Sequence, residues 1–174
     1  MPTAVLTLGL LLAGCSGREE QTETTAASQV KADLTVQADT VQGSANIPED
    51  QRATAVCVLN SRYPRNGEVV FRTRVTDPVT GEELDDQALS SVQVKLGDGT
   101  VLDMKYGGHP HDNPVDFFWA AGWDIPADYP TGTLNYEIVA TDQSGRTGTF
   151  SPFNVQSSLL TITDQVLEPI EQSG

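Results

Sequence analysis

Both histidines of the chain fall in one loop, Tyr106-Gly107-Gly108-His109-Pro110-His111-Asp112-Asn113-Pro114-Val115-Asp116. A His-x-His pair can bring two imidazoles to one metal ion, with Asp112, Asp116 or Met104 close enough in sequence to complete the shell. Imidazole suits copper or zinc, and a thioether would favour copper(I). Pro110 stiffens the backbone between the rings, however, and no third ligand stands at a recognisable spacing. The Gly, Pro, Asn and Asp residues equally describe a solvated, turn-rich loop. Two readings stay open. The favoured one is a rigid loop beside a contact surface, and the alternative is a metal-handling loop built on His109, His111 and Asp112.

The loop runs straight into Phe117-Phe118-Trp119-Ala120-Ala121-Gly122-Trp123, where aromatics occupy both parities. In a strand, alternate residues face opposite sides, so Phe117, Trp119 and Trp123 share one face and Phe118 takes the other. One set is expected to fill a core. The other, if exposed beside the histidines, forms an apolar patch of the kind that marks binding sites. The expected partner-binding residues are therefore His109, His111, Phe118 and whichever of Trp119 and Trp123 is exposed. Catalysis finds no footing. The chain has no Gly-x-Ser-x-Gly elbow, phosphate-cradling glycine loop or His-Glu-x-x-His pair. Glu82, Glu83, Asp85 and Asp86 read as a solvated turn rather than a carboxylate site.

The two cysteines call for different explanations. Cys57 lies in the apolar run Ala55-Val56-Cys57-Val58-Leu59, where a thiol is expected to behave as a small buried hydrophobe. Cys15 follows a short apolar stretch that stops at Leu12-Ala13-Gly14. That stretch falls short of the roughly 20 apolar residues needed to span a bilayer as a helix, and it has the length of the apolar region of a secretory signal. Leu-Ala-Gly-Cys at this position resembles the lipobox of bacterial lipoproteins. The resemblance implies cleavage before Cys15, removal of residues 1–14 as a signal peptide, and acylation of the Cys15 thiol and new amino terminus. Several acyl chains, at ~0.8 kcal/mol per buried methylene, anchor a protein far better than one. Ser16 is not the aspartate that holds such proteins at an inner membrane, so the resemblance favours the outer membrane where there are two. No cofactor is expected beyond this covalent lipid.

Ten basic residues stand against 24 acidic ones, a formal net charge of −14. Such a surface is repelled by phosphate backbones, which excludes nucleic acid as a partner. From residue 16 to about 52 the chain is polar and lacks aromatics. It reads as a mobile tether (residues 15–52 with the cysteine) whose typical reach is roughly 30–35 Å. Within it Val30, Ala32, Leu34, Val36 and Ala38 alternate with polar residues, enough for an edge strand or for pairing with a partner.

Residues 53–164 carry short apolar runs at regular spacing with turn residues between them, followed by a tail at 165–174. Strands are expected at 54–59, 68–76, 91–96, 100–106, 115–123, 133–142, 147–155 and 159–163. About seven strands in this length fit an all-β, antiparallel two-layer sandwich. Its expected core is Val69, Phe71, Val75, Val92, Val94, Leu96, Trp119, Leu134, Tyr136, Ile138, Phe150 and Phe153. The stretch Leu134-Asn135-Tyr136-Glu137-Ile138-Val139-Ala140-Thr141-Asp142, with Ser144-Gly145-Arg146-Thr147-Gly148-Thr149-Phe150, resembles the end of Ig-like domains in bacterial envelope proteins. The resemblance places Tyr136 as a tyrosine corner after Pro130-Thr131-Gly132, and Ile138 where antibody domains carry their second cysteine. Together these features lead us to expect a non-catalytic, lipid-anchored envelope protein. Its Ig-like domain would bind another envelope protein or a polysaccharide.

Overall fold

Glu68–Thr76 shows how this sequence builds a sheet. Val69, Phe71, Thr73 and Val75 are buried while Val70, Arg72 and Arg74 stay partly exposed, the period of two that a half-buried strand requires. The structure, a computed structural model, describes residues 32–170. In chain order these form β1 Thr35–Gln42, α1 Glu49–Ala55, β2 Arg62–Arg65, β3 Glu68–Thr76, β4 Leu89–Leu96, β5 Val101–Asp103, β6 Lys105–His109, β7 Asp116–Asp124, β8 Gly132–Thr133, β9 Tyr136–Asp142, β10 Thr147–Phe150 and β11 Thr161–Val166.

Two antiparallel four-stranded sheets result, in the orders β1-β3-β7-β6 and β10-β9-β4-β5. This is the strand order of an immunoglobulin-type sandwich, ABED against GFC with one added strand. A third, small sheet orders β2-β11-β8 and contains a parallel pair, β2 with β11. One core joins all three. Phe71 and Trp119 come from the first sheet, Val94 and Ile138 from the second, and Tyr63 and Ile162 from the third.

The Tyr136 ring packs edge-on against Phe71 with centroids 5.1 Å apart. Its hydroxyl makes no hydrogen bond to residues 130–132, so the corner contact implied by the Ig resemblance is not formed. Burial raises the phenol pKa to about 12.

Several sequence expectations change. The tether boundary at residue 53 falls inside the folded unit, because β1 pairs with β3 along its whole length, from Thr35 opposite Thr76 to Gln42 opposite Val69. The alternation through Leu34, Val36 and Ala38 that allowed an edge strand within the polar segment is realised as β1, which needs apolar side chains on one face only. The apolar run at 54–59 is not a strand. Residues 49–55 form α1, and Cys57 takes a left-handed φ of 62° and is exposed rather than buried. Val58 and Leu59 are exposed because this segment lies along the edge of β1, where Gln42 N–H donates to the Val58 carbonyl (2.9 Å) and Asn60 N–H to the Thr40 carbonyl (3.1 Å).

The expected strand at 100–106 is divided between the sheets. β5 pairs with β4, and β6 pairs with β7 in the opposite layer. Met104, at the crossing, is buried in the core and so is withdrawn from any ligand shell. Finally, Phe153 lies beyond the end of β10 and is 79% exposed, so it is no core residue.

Candidate functional site

The histidine loop is the tip of the β6–β7 hairpin. His109 pairs with Asp116, Gly108 with Phe117 and Gly107 with Phe118. A Cβ on Gly108 would run into the Pro114 ring, so glycine there lets the tip fold back over its own strand. Val115 and Phe117 project from the tip, Phe117 with 48% of its surface exposed. The Phe117 ring stacks at 6.1 Å on Tyr106, which tilts against the buried Trp119 at 5.5 Å. An aromatic series therefore runs from the core to solvent along one side of the hairpin.

On the other side, Phe118 lies between neighbouring strands. The His109 ring stacks on it from β6, with centroids 4.1 Å apart and planes at 10°. From β3, the guanidinium carbons of Arg72 and Arg74 stand 5.7 and 5.9 Å from its centroid, within cation–π range. Both guanidiniums are held by carboxylates. Arg72 donates two hydrogen bonds to Asp39, Nε to Oδ1 at 2.7 Å and Nη2 to Oδ2 at 3.0 Å. Arg74 donates to Glu83 at 2.7 and 2.9 Å, to the Phe117 carbonyl at 3.2 Å and to Asp116. The bond from Arg74 holds Asp116 below the usual carboxylate range.

Arg74 thereby ties β3, the 77–86 turn and the start of β7 together. From the core side, the Trp119 indole N–H donates to the Leu84 carbonyl at 3.0 Å and holds the same turn. A hollow of about 310 Å³ opens between Asp39, Arg72, Arg74, Asp116 and Phe118.

The structure brings His109 and Phe118 into contact and separates the other expected site residues. Trp119 and Trp123 are both buried in the core, so neither can belong to a contact surface. They point inward because they share the parity that faces the opposite sheet. Phe117 has that parity too, but its place at the end of the strand leaves it uncovered. His111 and Asp112 are fully exposed at the tip, with Nδ1 and Oδ1 3.5 Å apart. Among the described residues no three His, Cys, Asp or Glu side chains come together in a way that could hold a metal ion. Cys15, the expected lipid attachment point, lies outside the described residues.

Sequence reasoning missed Arg72, Arg74 and the exposed Phe117. The alternation of β3 already placed both arginines outward, and only the cross-strand register put Phe118 beside them. The site is an aromatic platform, His109 on Phe118, flanked by two guanidiniums that are paired with carboxylates. The chain matches no known protein family, no curated protein and no solved structure.

Proposed function

We propose that this protein is a lipid-anchored component of a bacterial cell envelope, held through Cys15. Its sandwich domain is a non-catalytic binding module that contacts another envelope protein or a polysaccharide through the β6–β7 hairpin. The observation that carries this reading is the hairpin itself, with an exposed apolar tip at Val115 and Phe117 and the Phe118–His109 stack held by Arg72 and Arg74. Flat aromatic area flanked by polar groups supplies contact energy at low entropic cost. The acidic remainder of the surface keeps the domain from associating with itself.

Anchoring follows from the Leu-Ala-Gly-Cys sequence, and the outer of two membranes is favoured because Ser16 follows the cysteine. Among the described residues no helix is long and apolar enough to cross a membrane. Mass spectrometry of the mature amino terminus tests the anchor, with a diacylglyceryl or triacyl Cys15 expected. Crosslinking in intact cells tests the module, with adducts lost in Phe117→Ser/Phe118→Ser. An unacylated terminus elsewhere in the chain contradicts the first part, and adducts unchanged by the double substitution contradict the second.

A further inference from the structure

Two buried tyrosines lie near Asp39, and only one of them is satisfied. Burial chiefly, and to a lesser degree the Asp39 charge, raises both phenol pKa values. The Tyr63 hydroxyl donates to the Asn60 carbonyl at 2.7 Å. Tyr136 is 8% exposed, yet among the described residues its hydroxyl has no hydrogen-bond partner. Buried phenols ordinarily find one, because a hydroxyl withdrawn from water and left unbonded is costly. The oxygen is not sealed in. Among the described residues the fully enclosed, unbonded side-chain atoms are Arg65 Nε and Thr73 Oγ1. The Tyr136 hydroxyl is therefore open to a ligand, on the side where Asp39 stands.

On that side Tyr136 and Asp39 both line a groove of about 390 Å³, between β1 and the chain beyond β10. This is an ordinary size for a small-molecule site. Leu59, Phe150 and Phe153 give it apolar walls, and the Phe153 ring is largely exposed. Ser61, Ser157 and Ser158 add hydroxyls that make no side-chain hydrogen bond among the described residues. Asp39 is the only charged residue lining the groove, and both of its oxygens accept from Arg72. The groove thus combines aromatic area with unbonded neutral hydroxyls and no free charge.

We propose that this groove binds an uncharged sugar unit of a glycan, its apolar face on Phe153 and its hydroxyls bonded to Tyr136 and the serines. The C–H face of a sugar ring suits the electron-rich face of an aromatic ring. Its hydroxyls both donate and accept, as the groove's own hydroxyls do. Other occupants fit worse. An acyl chain would leave the Tyr136 and serine hydroxyls unpaired. An anionic ligand meets no free cation and a chain carrying −14. A peptide finds no open strand edge, because β10 flanks β1 and Leu34 N–H donates to the Thr147 carbonyl at 2.9 Å. The site goes beyond the hairpin contact proposed above. Ala38 and Asp39 border both this groove and the hollow beside Phe118, while Tyr136, Phe153 and the serines belong to this one alone.

The test titrates the full chain, in a phosphocholine detergent that carries no sugar, with maltotetraose, cellotetraose, N-acetylchitotetraose and the anionic tetragalacturonate. Residue-resolved NMR shifts are the readout. Saturable shifts at Ser61, Ser157 and Ser158 are expected with at least one uncharged probe, and binding of tetragalacturonate about tenfold weaker or less. Tyr136→Phe should weaken binding about three- to tenfold and melt no lower than the wild type, because the lost hydroxyl bonds to nothing in the protein. Phe153→Ser, at an exposed site, should weaken binding about tenfold with the fold intact. No saturable shift with any uncharged probe overturns the proposal. So does equal binding of tetragalacturonate, or Tyr136→Phe and Phe153→Ser variants that bind as the wild type does. Shifts confined to Phe117 and Phe118 overturn it too, and leave the hairpin as the glycan site.

Discussion

Two arginines of this domain each hold two carboxylates, and burial gives the two clusters different work. Arg146 donates to Asp77 at 2.6 Å and to Asp142 at 2.7 Å. The Asp142 side chain is 8% exposed, and its Oδ1 also accepts from the Ser144 N–H and hydroxyl and the Arg146 N–H, each at 2.8 Å. Burial pushes the Asp142 carboxyl up, and the hydrogen bonds from Arg146 and Ser144 more than offset it, leaving it well below the usual carboxylate range. Arg74 holds Glu83 and Asp116 in the open, where half of the Asp116 side chain is exposed. A buried, fully bonded charge cluster is costly to break, whereas an exposed one contributes little to stability. The first staples the 77–81 and 142–146 turns together. The second leaves its stabilising role to the core and is free to position an aromatic surface.

The largest expected effect is therefore at Arg146. Arg146→Met strands two carboxylates and should lower the melting temperature by roughly 5–10 °C. The same variant should change the response to pH. Asp77 and Asp142 have folded pKa values below their unfolded ones. Their contribution is complete above the unfolded value of about 3.9 and is lost as pH falls through the lower folded values. Denaturant titrations between pH 7 and pH 2 should show the wild type losing this increment below about pH 4. Arg146→Met should lack most of that loss. If both proteins respond alike to acid, the buried cluster is not the staple described here.

A smaller change of opposite sign is expected at Thr73. Its hydroxyl is buried beneath β3, and no partner for Oγ1 is found among the described residues. Thr73→Val keeps the shape and removes the unsatisfied group, so it should stabilise the fold by about 1 kcal/mol in denaturant unfolding. A destabilised Thr73→Val would mean that the hydroxyl has a bonding role. The smallest effect on stability belongs to Arg74→Met, under about 2 °C in melting temperature. Its consequence should appear in contact. Without Arg74, Phe118 loses one flanking guanidinium and the hairpin keeps only the Trp119–Leu84 bond to the 77–86 turn, so partner crosslinking should fall while the fold persists. Loss of stability equal to that of Arg146→Met would erase the distinction between the clusters.

Where one face of a strand is buried and the other wet, the sequence pattern was enough to read the fold. β3, β4 and β9 were each placed within two or three residues by alternation alone, and most of the expected core residues are buried. The pattern misled where apolar residues cover an edge instead of filling a core, as at Val58 and Leu59. It allowed an edge strand through Leu34, Val36 and Ala38, which is where β1 begins, but the polar composition around it put the domain boundary too late. The candidate site was legible in part. The loop and its aromatic strand were marked in the sequence, although Gly107, Gly108 and His109 belong to β6 rather than to the loop, and parity separated Phe118 from the tryptophans. That Phe118 meets Arg72 and Arg74 depends on the register of β3 against β7, which a single sequence does not encode locally.

The central claim is that the β6–β7 hairpin is the contact surface of an anchored module. The most direct measurement is photo-crosslinking in intact cells, with the reactive side chain introduced at Val115 or Phe117 and, for comparison, at the exposed Val101 of β5 and Glu82 of the acidic turn. The account predicts one discrete adduct from Val115 and Phe117, lost in Phe118→Ser, and none from Val101 or Glu82. Adducts centred on Glu82, or equal at all four positions, would contradict it and place recognition on the acidic surface instead.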